Sequence, residues 1–84
     1  MTYDVVIEKR AKKFIDSQTK EQQLRILNAI GKLPDGDTKP IQSYESIFRL
    51  RVGAYRIIYK KQDNVLLITI VDAGNRGQIY KSYR

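Results

Sequence analysis

The chain has 84 residues, 42% hydrophobic and 30% charged, with no cysteine and no histidine. These numbers fit one domain over residues 1–84 with a single layer of helix on a sheet, and they exclude a disulfide framework, a thiol nucleophile, a histidine base and cysteine or histidine metal ligands. The net charge is +7 and uneven: residues 1–48 carry 8 basic and 7 acidic side chains, whereas residues 49–84 carry 8 basic and 2 acidic.

Met1 to Ile7 has no basic start followed by a long apolar run, so no signal peptide is expected. Within it Tyr3, Val5 and Ile7 alternate with Asp4 and Val6, which predicts a short strand. Ala11, Phe14 and Ile15 then repeat at helical spacing, with Lys9, Arg10, Lys12 and Lys13 on the wet side. Thr19 followed by Gln22 fits a capping box that starts a second helix, with Leu24, Leu27, Ile30 and Leu33 as its expected apolar stripe. The two helices are expected to form a hairpin. Pro34-Asp-Gly-Asp signals a turn, and the stretch from Pro34 to about Ser46 reads as an irregular connection, with Pro40 opposing a regular ladder.

The second half reads as sheet. Phe48, Leu50 and Val52 alternate with Arg49 and Arg51, and Gly53-Ala54 makes a tight reversal. Tyr55, Ile57 and Tyr59 share one face, and Arg56, Ile58 and Lys60 the other. After a turn at Asp63-Asn64, Val65 to Val71 is apolar except for Thr69, as expected of a central strand, with Gly74 ending it and Gln78 to Ser82 forming a last short strand. That run is far too short to span a membrane, so a cytoplasmic protein is expected. The predicted fold class is α+β: an N-terminal strand and a helical hairpin packed on one face of a four- to five-stranded antiparallel sheet, with the other face left for binding.

The basic second half fits a polyanion or an acidic protein partner, although a basic surface that merely aids solubility fits the composition equally well. A hairpin would bring Arg49 and Arg51 near Arg56, because neighbouring strands lie about 5 Å apart, and Arg76 and Tyr80 follow the central strand. This set suits RNA cleavage by attack of a ribose 2′-hydroxyl on the neighbouring phosphate. Arginine forks bind phosphoryl oxygens bidentately and keep their charge. Tyr80 is the candidate base, its phenol drawn below an ordinary pKa of about 10 by neighbouring arginines. Arg76 is a hydrogen-bond donor to the leaving oxygen, with water completing the proton transfer. Lys60 and Arg51 also fit as solvated strand residues, and Tyr55 and Tyr59 fit best as core. Asp63 and Asp72 stand apart from other carboxylates in sequence, so no metal and no other cofactor is expected.

Arg49-Leu-Arg-Val-Gly-Ala-Tyr-Arg-Ile-Ile-Tyr59 and Gly74-Asn-Arg-Gly-Gln-Ile-Tyr80 resemble the two signature segments of the RelE branch of the RelE/ParE toxin superfamily. The resemblance covers nearly the whole chain. It implies a ribosome-dependent endoribonuclease that cleaves messenger RNA in the A site, beside 16S rRNA, and so inhibits translation. It carries the catalytic roles onto Arg49, Arg56, Arg76 and Tyr80, with Arg51, Lys81 and Arg84 as further RNA-binding residues. It also implies a RelB-like antitoxin as partner and contact with operator DNA only through the antitoxin complex. Asn75 stands where many members carry histidine, Ile47 where some carry lysine, and Gly77 where a basic residue is frequent. The same resemblance leaves two alternatives: a ParE-like gyrase poison, and a non-cleaving basic module that holds an antitoxin and operator DNA.

Overall fold

The computed structural model describes residues 2–41 and 45–75. In chain order the elements are β1 (Asp4–Ile7), α1 (Lys9–Asp16), α2 (Lys20–Gly31), β2 (Thr38–Pro40), β3 (Ile47–Val52), β4 (Tyr55–Gln62) and β5 (Leu67–Asn75). The five strands form one sheet in the order β1-β5-β4-β3-β2. The fold class is α+β, as the element order implies, but the sheet is mixed: β1 runs parallel to β5, and the other neighbours are antiparallel. Alternation along the strands cannot reveal this direction. Each short connection reverses the chain, and an even number of reversals separates β1 from β5, so the two strands point the same way.

The helices cover one face. Ala11 and Ile15 of α1 and Ile26 and Ile30 of α2 are buried with Leu33, Leu50, Val52, Ile57, Tyr59, Ile68, Ile70 and Ala73, while Tyr55 and Phe14 pack against this cluster. Burying each large side chain of this kind stabilises the fold by about 1.5–3 kcal/mol. Phe14 meets the Tyr55 ring edge-on at 5.9 Å, and the Tyr55 hydroxyl donates to Gln18 Oε1 at 3.1 Å. Phe48 stacks on Tyr59 at 5.4 Å.

The apolar stripe of α2 differs from expectation. Ile26, Ile30 and Leu33 form the core face, while Leu24 and Leu27 are 55% and 41% exposed. The reason is the pitch of the helix. A strict three-residue repeat drifts about 60° around the axis at each step, so Leu24 and Leu33 end up on opposite sides, whereas 26, 30 and 33 stay together. The Thr19 side chain caps α2 by accepting from the Gln22 N–H at 3.3 Å. The reciprocal bond of a capping box is not made among the described residues. Instead Gln23 Nε2 donates to the carbonyls of Asp16 and Gln18, which ties α2 to the end of α1.

Three further elements depart from the sequence reading. Part of the connection after Pro34 is strand β2, paired with β3 through Thr38↔Leu50, Lys39↔Arg49 and Pro40↔Phe48. Pro40 is tolerated because β2 lies at the sheet edge, where a missing N–H interrupts no second ladder. The last strand begins at Leu67 rather than Val65, because Leu66 turns with φ 49°. Gly74 lies inside β5, opposite Arg56, and does not end it. The expected strand over Gln78 to Ser82 lies outside the described residues.

Tyr59 is only 1% exposed, and burial pushes its phenol above the ordinary value of 10, with a hydrogen bond to Thr38 opposing the rise. The folded chain therefore holds this proton more tightly than the unfolded chain. Stability from this group is complete below about pH 10 and falls as pH rises through the raised value. Denaturant melts between about pH 8 and 12 should show this loss, and Tyr59→Phe should flatten it.

Candidate active site on the open face of the sheet

Strand alternation divides the arginines from the core. Leu50 and Val52 of β3 and Ile57 and Tyr59 of β4 face the helices, so Arg49, Arg51, Arg56 and Ile58 face the other side. Gly53, with φ 58°, occupies the first position of the two-residue β3–β4 turn, where a type II′ turn requires a positive φ. That turn sets the register and places Arg51 directly opposite Arg56. Gly74 of β5 is the next residue along this row and adds no side chain to it. A second row runs Lys39, Arg49, Ile58, Asp72.

Arg49 and Arg56 are 6% and 7% exposed. Arg49 Nη1 donates to the Asp37 carbonyl and to Asp37 Oδ1, both at 3.4 Å, and the Asp37 side chain is itself 53% exposed. The Nε atoms of Arg49 and Arg51 are buried without a hydrogen-bond partner among the described residues. Arg56 is engaged by an interaction of its own and is not a free cation. Like charges directly opposite each other on neighbouring strands destabilise a sheet, and a buried donor without a partner costs free energy. An anion on this face relieves both costs. A small second apolar cluster, Ile41 and Ile58 with Ile47 and Val71, borders the arginines, so the open face is partly covered by the segment after β2.

The structure thus brings Arg49, Arg51 and Arg56 together on the face without helices. Lys60 is exposed on the same face, as a solvated strand residue would be. Arg76, Tyr80, Lys81 and Arg84 lie outside the described residues. The chain reaches Asn75, opposite Tyr55, one position beyond the Arg56–Gly74 pair. An open cleft of about 400 Å³ lies elsewhere, between α2 and β3, lined by Arg25, Lys32, Asp37 and Leu50. It shares Arg51 with the arginine face but holds neither Arg49 nor Arg56. No cluster of three acidic side chains gathers among the described residues to hold a metal ion.

Residues 5–80 match the family model described as the ParE toxin of the type II toxin–antitoxin system parDE. The chain belongs to the RelE/ParE toxin superfamily. It is thereby a toxin of the type II toxin–antitoxin class. Among solved structures it is similar to the archaeal RelE of a RelE–RelB complex from Pyrococcus horikoshii OT3, at 28% identity and a TM-score of 0.76, over 93% of this chain and 99% of that one. It also shares its fold with the toxin–antitoxin complex RelBE2 from Mycobacterium tuberculosis, at 20% identity and a TM-score of 0.76, over 90% and 100% of the two chains. The isolated E. coli RelE toxin has the same fold at 12% identity and a TM-score of 0.69, over 96% and 94%. A search of curated protein sequences found no match. No helix among the described residues is long and apolar enough to cross a membrane.

Three residues at this face were missed by the sequence reading. Asp37 pairs with Arg49 from the end of the Pro34 turn, a contact that no periodicity announces. Asp72 is buried on the arginine face, and Arg10 of α1 pairs with it. An acidic residue inside an apolar strand was the available signal for Asp72.

Proposed function

We propose that this toxin cleaves messenger RNA on the ribosome, using the arginine face to bind and polarise one phosphodiester. The observation that carries the reading is the burial of Arg49 and Arg56 on the open face, with Arg51 opposite Arg56. Buried guanidinium groups keep their orientation as charge grows on the phosphoryl oxygens, and such fixed donors lower a barrier by about 3–4 kcal/mol each. Tyr80 takes the proton from the 2′-hydroxyl, the 2′-oxygen bonds to phosphorus, and the bond from phosphorus to the 5′-oxygen breaks. Arg76 donates a hydrogen bond to that leaving oxygen, and water supplies its proton. The products are a 2′,3′-cyclic phosphate and a free 5′-hydroxyl. Arg51, Lys81 and Arg84 hold the flanking strand. The reaction as written uses no metal or cofactor.

The partner in this reading is a RelB-like antitoxin, supported by similar proteins crystallised as RelE–RelB and RelBE complexes. The toxin reaches operator DNA only within that complex and meets 16S rRNA in the A site. The match to the ParE model favours a second reading, poisoning of DNA gyrase. Primer extension on messenger after brief expression separates the two. New messenger 5′ ends within translated codons are expected. Intact messenger with accumulation of gyrase-cleaved DNA would favour the second reading.

A further inference from the structure

One buried carboxylate on the arginine face has no part in this scheme. Asp72 is 5% exposed and faces Ile58, which in turn faces Arg49. Strand β1 stops short of it: Ile7 is paired with Ile70, and the Glu8 N–H donates to the Ile70 carbonyl as the chain turns into α1. Past that point no strand among the described residues pairs with this edge of β5. Arg10, in the first turn of α1, reaches over this edge and sets its Nε 3.5 Å from Asp72 Oδ1. The same oxygen accepts the Ala73 N–H at 2.9 Å. The pair is lopsided, with side-chain exposures of 72% for Arg10 and 7% for Asp72.

The pair offsets part of the cost of burying the Asp72 carboxylate, but that role does not require the arginine to stay largely exposed at the rim. Cations in the first turn also oppose the helix dipole, and α1 carries Lys9 and Arg10 there, with Glu8 at the N-cap as the one adjacent acidic residue. What the pair supplies is position. A carboxylate anchored in a strand holds an otherwise mobile arginine at the rim of the open face. The contact is made through Nε, which leaves the two terminal amino groups for a bidentate hold on phosphate.

We propose that Arg10 is an additional RNA-binding residue and that Asp72 is the residue that positions it. This rests on the reading of the open face as an RNA-cleaving site. Arg49 and Asp72 stand two strand spacings apart, about 10 Å. Arg10 therefore engages a phosphate beside the scissile one, where the strand leaves the sheet over the β1–β5 edge.

The test is fluorescence anisotropy with a labelled single-stranded RNA whose riboses are 2′-O-methylated, so that binding is read without cleavage. Arg10→Ala should weaken binding about threefold to fivefold, the effect of one exposed but positioned ion pair. It should also lower the slope of log affinity against log salt by roughly 0.7, one contact on a single strand. Asp72→Asn gives the discriminating sign. It keeps an oxygen for the Ala73 N–H and raises the net charge of +7 by one, so long-range electrostatics alone would tighten RNA binding. Positioning requires weaker binding, with the double variant no weaker than Arg10→Ala. Tighter or unchanged binding by Asp72→Asn with a normal melt overturns the proposal, as does additivity in the double variant. Should Asp72→Asn fail to fold, Arg10→Ala decides alone: unchanged affinity and slope overturn it. Failure of wild-type protein to bind the RNA at low salt also overturns it. Absence of cleavage on ribosomes, with the Arg10 effect intact, would remove the cleavage reading and leave this RNA contact standing.

Discussion

Arg56→Ala is expected to slow messenger cleavage on programmed ribosomes by about 10²–10³-fold, the loss seen when one preorganised donor is removed from a developing oxyanion. Among the described residues of the set, Arg56 is, with Arg49, one of two buried cations. It is 7% exposed, lies opposite Arg51 on β3 and Gly74 on β5, and is engaged by an interaction of its own. A guanidinium so confined loses little orientational freedom when substrate binds, so its removal should appear in the chemical step. Arg56→Lys keeps the charge and the apolar stem but not the planar fork, and an intermediate rate is expected. Single-turnover rates of both variants, read beside their thermal melts, separate a catalytic loss from an unfolded chain. A folded Arg56→Ala protein that cleaves at the wild-type rate would remove this residue from the mechanism.

The largest expected effect on stability comes from α2. Ile26 is fully buried, whereas Leu24, two positions earlier, is 55% exposed. Ile26→Ala removes buried methyl groups and leaves a cavity, at a cost of about 2–5 kcal/mol. For a domain of this size each kcal/mol lowers Tm by about 4–8 °C, so a drop of at least about 8 °C is expected. Leu24→Ala should stay within about 0.5 kcal/mol of wild type, as surface changes usually do. Paired thermal melts check the assignment. The reverse order of effects would mean that the helix presents the other face to the sheet.

These two expectations show where sequence patterns inform and where they stop. The arginine face was legible because strands alternate strictly and a two-residue turn leaves a single register; Gly53-Ala54 thus determines that Arg51 meets Arg56. The core positions of β3 and β4 followed from the same rule. The α2 stripe was misread rather than hidden: apolar residues at intervals of three look periodic yet spiral around the helix, whereas Ile26, Ile30 and Leu33 keep the i, i+4, i+7 spacing of one face. The direction of β1, the edge strand Thr38–Pro40 and the pairs Arg49–Asp37 and Arg10–Asp72 join residues distant in sequence, and no local pattern encodes them. The proposed roles of Arg76 and Tyr80 rest on chemistry and family resemblance, beside an arginine face whose register is described.

The most direct test is the chemistry of the cut ends. Purified toxin is incubated with ribosomes carrying a messenger in the A site and, separately, with the same RNA alone. Attack by the 2′-hydroxyl requires upstream fragments ending in a 2′,3′-cyclic phosphate and downstream fragments beginning with a free 5′-hydroxyl, on the ribosome only. Fragments beginning with a 5′-phosphate, or messenger left whole on the ribosome by folded toxin, would contradict the account.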